Sequence, residues 1–92
     1  MERLVRMTKK IQSILEQIDV LNERSQTLEV SNLPQGRFIR EYTFLHESVE
    51  YLIQCRDSDV YYDYDIDAYV ELASSLEDIY ANDYIRRNGY GR

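Results

Sequence analysis

Apolar residues recur through the first third of the chain at alternating steps of three and four: Leu4, Met7, Ile11, Ile14, Ile18 and Leu21, continuing through Ser25 to Leu28. That spacing keeps one stripe of a helix apolar and, held over a seven-residue repeat, makes a heptad seam. No Gly or Pro interrupts it until Pro34 and Gly36, which act as a stop signal. The pattern predicts one helix over about residues 2–31, roughly 45 Å long at ~1.5 Å per residue. Ser25 reads as a weak spot near the helix end more than as a register-setting polar residue.

A second helix is expected over about 36–56, because Phe38, Tyr42, Leu45, Val49 and Leu52 repeat the spacing and Ile39 and Ile53 widen the stripe. A third is expected over about 66–87, with Tyr69, Leu72, Ala73, Leu76, Ile79 and Tyr80 on one side. At ~100° per residue, Asp67, Glu71 and Asp78 fall within about 40° of one another on the opposite side. Asn88-Gly89 should end this helix, with Tyr90 to Arg92 as a frayed end.

Between the second and third helices the period changes to two. Asp57, Asp59, Asp63, Asp65 and Asp67 alternate with Ser58, Val60, Tyr62, Tyr64 and Ile66. If extended, the segment 57–67 puts carboxylates on one face at steps of about 6.5 Å and aromatic and aliphatic groups on the other. The pattern fits either a short strand or a loop. The fold class expected is therefore mainly α, an elongated three-helix bundle in one domain spanning 1–92, with no internal repeat.

Ninety-two residues build one core and not two, and so thin a core favours an oligomer. The predicted first helix is longer than the other two, so up to two turns of its seam would face water unless a second copy covered it. A homodimer through Leu4, Met7, Ile11, Ile14, Ile18 and Leu21 follows as an expectation. The apolar runs fall far short of the ~20 residues that cross a bilayer, and Arg3, Arg6, Lys9 and Lys10 break any signal-peptide core. A cytoplasmic protein with no membrane partner is expected.

Cys55 is the one cysteine and His46 the one histidine, so neither an internal disulfide nor a usual zinc ligand set can be assembled within one chain. Cys55 reads as a small buried hydrophobe. Asp63-x-Asp65-x-Asp67 resembles the start of a calcium loop, but Ala68 stands where the sharp turn needs Gly and Ser74 where a bidentate Glu should close the shell. General acid–base chemistry needs a desolvated carboxylate in a pocket, and no Ser-His-Asp, Cys-His or Gly-rich phosphate motif is present. No catalysis, cofactor or metal is expected.

Charge changes the picture more than any motif. The net charge is -6, but residues 1–40 carry +2, residues 41–85 carry -11 and the last seven residues carry +3. Within 41–85, Arg56 is the lone base among twelve acids. A one-sided field of this kind repels nucleic acid and anionic membranes and attracts basic protein surfaces. The expected partner-binding face is Glu47, Glu50, Asp57, Asp59, Asp63, Asp65, Asp67, Glu71, Glu77, Asp78 and Asp83. Tyr61 joins it, as the best candidate for exposure among the tyrosines, because it sits on the carboxylate side of the alternation. The remaining tyrosines should divide between core and interface.

Such a face can occupy a DNA-binding channel. Duplex DNA carries one charge per ~1.7 Å of axis, so the -11 of residues 41–85, doubled in a dimer, matches about 37 Å of duplex. Carboxylates about 6 Å apart at i and i+4 of a helix lie near the spacing that a DNA-binding protein's Arg and Lys are set to meet. The rival reading is a helical adaptor that holds a protein partner through its seam or its tyrosines, with no DNA involved.

From the Met-Glu-Arg-Leu-Val-Arg start, through the Asp-Ser-Asp-Val-Tyr-Tyr-Asp-Tyr-Asp-Ile-Asp run at 57–67, to Leu76-Glu-Asp-Ile-Tyr-Ala-Asn-Asp-Tyr84, the chain resembles the anti-restriction nuclease proteins of T-even bacteriophages. The resemblance rests on length and overall character. It implies a dimeric DNA mimic in the host cytoplasm that protects phage DNA by blocking a McrBC-type restriction endonuclease. A basic nucleoid protein would be a second client that charge mimicry admits. The +2 amino-terminal segment departs from an all-over polyanion, so the first helix either contributes to the mimic or serves dimerisation only.

Overall fold

In the computed structural model, which describes residues 2–57 and 65–88 and the side chains of the first helix from Lys9 onward, three helices form an elongated bundle of 51 × 25 × 21 Å. Helix α1 spans Glu2–Ser25, α2 Gln35–Arg56 and α3 Ile66–Arg87, with one turn of 3-10 helix, Val30–Asn32, between α1 and α2. The antiparallel α2–α3 pair is the most extensive contact, and α1 lies across it. Among the described residues there is no strand, and no helix is long and apolar enough to cross a membrane. Asp59, Tyr61 and Asp63, and with them most of the alternating 57–67 segment, lie outside the described residues, as do the side chains of Leu4 and Met7.

Helix α1 stops at Ser25, not near residue 31 as the seam implied. The reason is local. Ser25 Oγ donates to the Asn22 carbonyl at 2.8 Å and Thr27 Oγ1 to the Arg24 carbonyl at 3.2 Å, while Thr27 and Leu28 N–H groups both close on Arg24 O. Short polar side chains that bond the backbone in this way offer it an alternative to continuing the helix. Leu28, the last seam position, is therefore 39% exposed, and Val30 and Leu33 plug the end of the bundle in its place. Pro34 then opens α2: its carbonyl accepts from Phe38 N at 2.9 Å, and it lacks only an N–H that a helix start leaves unpaired anyway.

The helix lengths, 24, 22 and 22 residues, remove the mismatch that had argued for a second copy. Ile11, Ile18 and Leu21 of the seam are fully buried in the intramolecular core, with Leu15 beside them, and Ile14 is half-buried. They meet Phe38, Leu45, Leu52 and Cys55 from α2 and Ile66, Val70, Ala73, Leu76 and Tyr80 from α3. Ile79, expected on the inner side of α3, is 46% exposed. The inner stripe of α3 runs instead through Val70, Ala73, Leu76, Tyr80 and Asp83, which places Ile79 at its edge.

Helix α3 begins where the alternation ends because Asp65 caps it, accepting from Ala68 N at 3.1 Å. Asp67 in its first turn and Arg86 and Arg87 in its last complement the helix dipole. Arg87 also fastens the α1–α2 connector. It donates to the Val30 and Leu33 carbonyls at 2.9 and 2.8 Å and to Gln35 Oε1 at 2.9 Å, and it lies 4.1 Å over the Phe38 ring. The carbonyls of a connector packed against a core need such partners.

Candidate acidic face

The carboxylates of the second half of the chain divide into two populations. Asp67, Glu71 and Asp78 stand exposed along the outward stripe of α3, as their spacing predicts, Glu47 and Glu50 stand exposed on α2, and Asp57 is exposed at its C-cap. Among the described residues, Glu47, Glu71 and Asp78 carry no ion pair, while Arg56 spans the open end of the α2–α3 pair, 3.3 Å from Asp57 and 3.6 Å from Asp67. Asp65 is exposed, and its carboxylate is occupied in capping α3.

His46 ties the two stripes together. Its Nδ1 lies 2.8 Å from a Glu77 carboxylate oxygen on α3, and its Nε2 3.4 Å from Glu50 one turn along α2. The Glu77 hydrogen bond, with the charges of Glu77, Glu50 and Glu47 around it, raises the imidazole pKa above its ordinary 6.5. Glu77 is itself partly covered, its side chain 22% exposed. It belongs to the seam between the helices more than to the open face on which the sequence reading placed it.

Asp83 does not belong to the face at all. Its side chain is 4% exposed and bound by the Arg87 guanidinium, with Arg86 at 3.8 Å. An aspartate in the interior stripe of a helix cannot stay charged without such a partner.

Glu41, which is not part of the expected face, is the centre of a polar network. Its carboxylate accepts from Arg24 of α1 (2.6 Å at Oε2), from Arg37 one turn earlier at 3.0 Å, and from the Tyr80 hydroxyl of α3 at 2.6 Å, with Arg24 also reaching Tyr80 at 2.7 Å. Burial pushes the Glu41 pKa up, but the hydrogen bonds from Arg24, Tyr80 and Arg37 outweigh it and hold the group at about 2. Burial, with Glu41 as its acceptor, pushes the Tyr80 hydroxyl well above the usual tyrosine range. The signal that could have found both residues was their register: Glu41 falls in line with Phe38, Leu45, Ser48 and Leu52, and Asp83 with Leu76, Tyr80 and Arg87. A carboxylate on an apolar stripe points inward to a cation.

The tyrosines are divided as well. Tyr80 is fully buried and stacks on Phe38 at 5.4 Å, Tyr69 donates to Asp19 of α1 at 2.9 Å, and Tyr84 is 42% exposed against Tyr42 at 5.7 Å. Beside Tyr42 an open hollow of about 320 Å³ is lined by Thr43, His46 and Glu47. Among the described residues no group of three His, Cys, Asp or Glu side chains is placed to hold a metal ion. Compared with protein-family models, with curated proteins and with solved structures, the chain matches none of them.

Proposed function

We propose that the protein is a non-catalytic binding protein whose outer α2–α3 face stands in for duplex DNA on the basic DNA-binding surface of another protein. What supports the reading is the set of outward carboxylates without a compensating base, Glu47, Glu71 and Asp78, flanked by Glu50, Asp57 and Asp67 on a stiff two-helix platform. Stiffness matters because charges held by packed helices lose little conformational entropy on docking. With Glu41 and Asp83 withdrawn inward, eight described carboxylates remain between residues 41 and 85, against Arg56. Asp59 and Asp63, outside the described residues, add two more, and the net of about nine charges matches roughly 15 Å of duplex axis per chain, against roughly 19 Å for the full -11.

The mechanism is competition. The face docks where phosphates would, is itself repelled by DNA, and performs no chemistry on either partner. The client to test first is the restriction endonuclease implied by the sequence resemblance, through displacement of a labelled duplex from its DNA-binding subunit. Displacement should weaken steeply as salt is raised. The triple variant Glu47→Gln, Glu71→Gln, Asp78→Asn should lose it while its helical circular dichroism persists; Asp65 is left intact because its loss would uncap α3. An undiminished triple variant would refute the assignment of this face. A wild-type complex that excess duplex leaves undisturbed would favour the helical-adaptor reading.

A further inference from the structure

The two stripes of the acidic face each begin, at the same end of the bundle, with an exposed isoleucine. On α2, Ile39 is 37% exposed, and Thr43, His46, Glu50 and Asp57 follow it at helical spacing. On α3, Ile85 is 42% exposed, and Asp78, Glu71 and Asp67 lie on its side of the helix, about two and more turns back. Helices α2 and α3 run antiparallel, with His46 against Glu77 and Arg56 against Asp67, so Ile39 stands level with Tyr84 and Ile85. Between the stripes lie the Tyr42 and Tyr84 rings, 5.7 Å apart. The open hollow lined by Tyr42, Thr43, His46 and Glu47 leads from this aromatic pair to the first carboxylates.

The nearby arginines turn the other way. Arg40 lines a hollow with Gln17 and Leu21 on the α1 side, and Arg86 reaches Asp83 beside Ser25 and Glu29. A single exposed isoleucine is ordinary. Three apolar or aromatic side chains aligned at one end of a charged platform have the composition of an interface core beside its charged rim.

We infer that Ile39, Tyr84 and Ile85 form an apolar anchor at one end of the acidic face, so that the partner it fits is a basic protein surface bordered by an apolar recess. The inference rests on the function proposed above and deepens it. Duplex DNA has no counterpart to such an anchor on its outer backbone, and here the protein departs from what it imitates. Charge supplies steering and salt dependence, whereas the anchor supplies affinity that salt does not remove.

The two contributions separate in one experiment: binding of the labelled protein to the endonuclease's DNA-binding subunit, followed by anisotropy from about 50 to about 400 mM NaCl. The double variant Ile39→Ser, Ile85→Ser should bind about tenfold more weakly at every salt concentration, with the slope of log Kd against log salt unchanged. The pair Glu71→Gln, Asp78→Asn should flatten that slope. A double isoleucine variant within twofold of wild type across the series, or one that alters the slope alone, overturns the anchor while leaving the acidic face in place. Wild-type protein that does not bind the subunit overturns both. Sedimentation of wild type and variant is the control for a second copy on the patch: a mass that falls on substitution assigns the anchor to self-association and overturns the inference. Both isoleucines are surface residues, and coincident thermal melts would show that the variant folds.

Discussion

Glu41 and Glu71 are the same residue type, each in a helix of the acidic half of the chain, and they meet opposite fates. Glu41 sits against α1 with its carboxylate satisfied by two arginines and a tyrosine, and is held at about 2. Glu71 stands exposed on the outward stripe of α3 with no ion pair among the described residues. Asp83 and Asp78, five residues apart on α3, repeat the contrast. Net charge counts the members of each pair equally. Their roles differ because a buried carboxylate is part of the fold's internal wiring, whereas an outward one is available to a partner.

The contrast breaks most severely at Arg87. Replacing it with Met leaves Asp83 buried without its principal cation and leaves the Val30 and Leu33 carbonyls unpaired, so urea denaturation should show a loss of about 3–5 kcal/mol. A loss under 1 kcal/mol would mean that the connector is held by Val30 and Leu33 packing alone.

Next comes Glu41→Gln, which keeps the shape and removes the charge. A folded value of about 2 against an ordinary 4.5 corresponds to roughly 3 kcal/mol of stability. Because the folded pKa is depressed, that stability is present above pH 4.5 and disappears as pH falls toward 2. The wild-type protein should therefore lose stability steeply across that window and Glu41→Gln should not; parallel acid-unfolding curves would count against the network.

His46 should have a smaller effect of opposite sign. Its folded pKa is raised, so its contribution is complete below the ordinary value of 6.5 and is lost as pH rises through the folded value. Proton NMR titration of the single imidazole should show a midpoint above 6.5, which Glu77→Gln returns toward that value. An unchanged midpoint would disconnect the histidine from α3.

The smallest effect on stability belongs to the outward carboxylates. Glu71→Gln and Asp78→Asn should each change unfolding free energy by less than about 0.5 kcal/mol, and together slightly favour folding by relieving like-charge repulsion. A destabilisation above 1 kcal/mol would place them with Glu41 and not with the binding face.

Helices α2 and α3 are legible to within a residue because an apolar repeat agrees with turn residues at Pro34 and Gly36 before α2 and at Asn88-Gly89 after α3, and the Asp65 cap is a further local signal. The end of α1 is not, because Leu28 continues the heptad after Ser25 and Thr27 have turned their side chains onto the backbone. The outward stripe Asp67, Glu71 and Asp78 followed directly from helical spacing. Glu77 and Asp83 depart from the expected face because the stripes on which they fall turn toward α2 and the core, which charge alone does not report.

Periodicity and composition by themselves determine three helices, the segment that carries the negative charge and the outward stripe Asp67, Glu71 and Asp78 of α3, since each depends on neighbours within two turns of one helix. Tertiary structure decided how Glu41 is neutralised from α1 and α3, whereas Asp83 finds Arg87 within α3, four residues on. Arg24 reaches Glu41 from 17 residues away and Arg87 reaches the Val30 carbonyl from 57, and such pairings exist only once the helices have packed. Local sequence sets the direction in which a side chain points, and packing sets what it meets there.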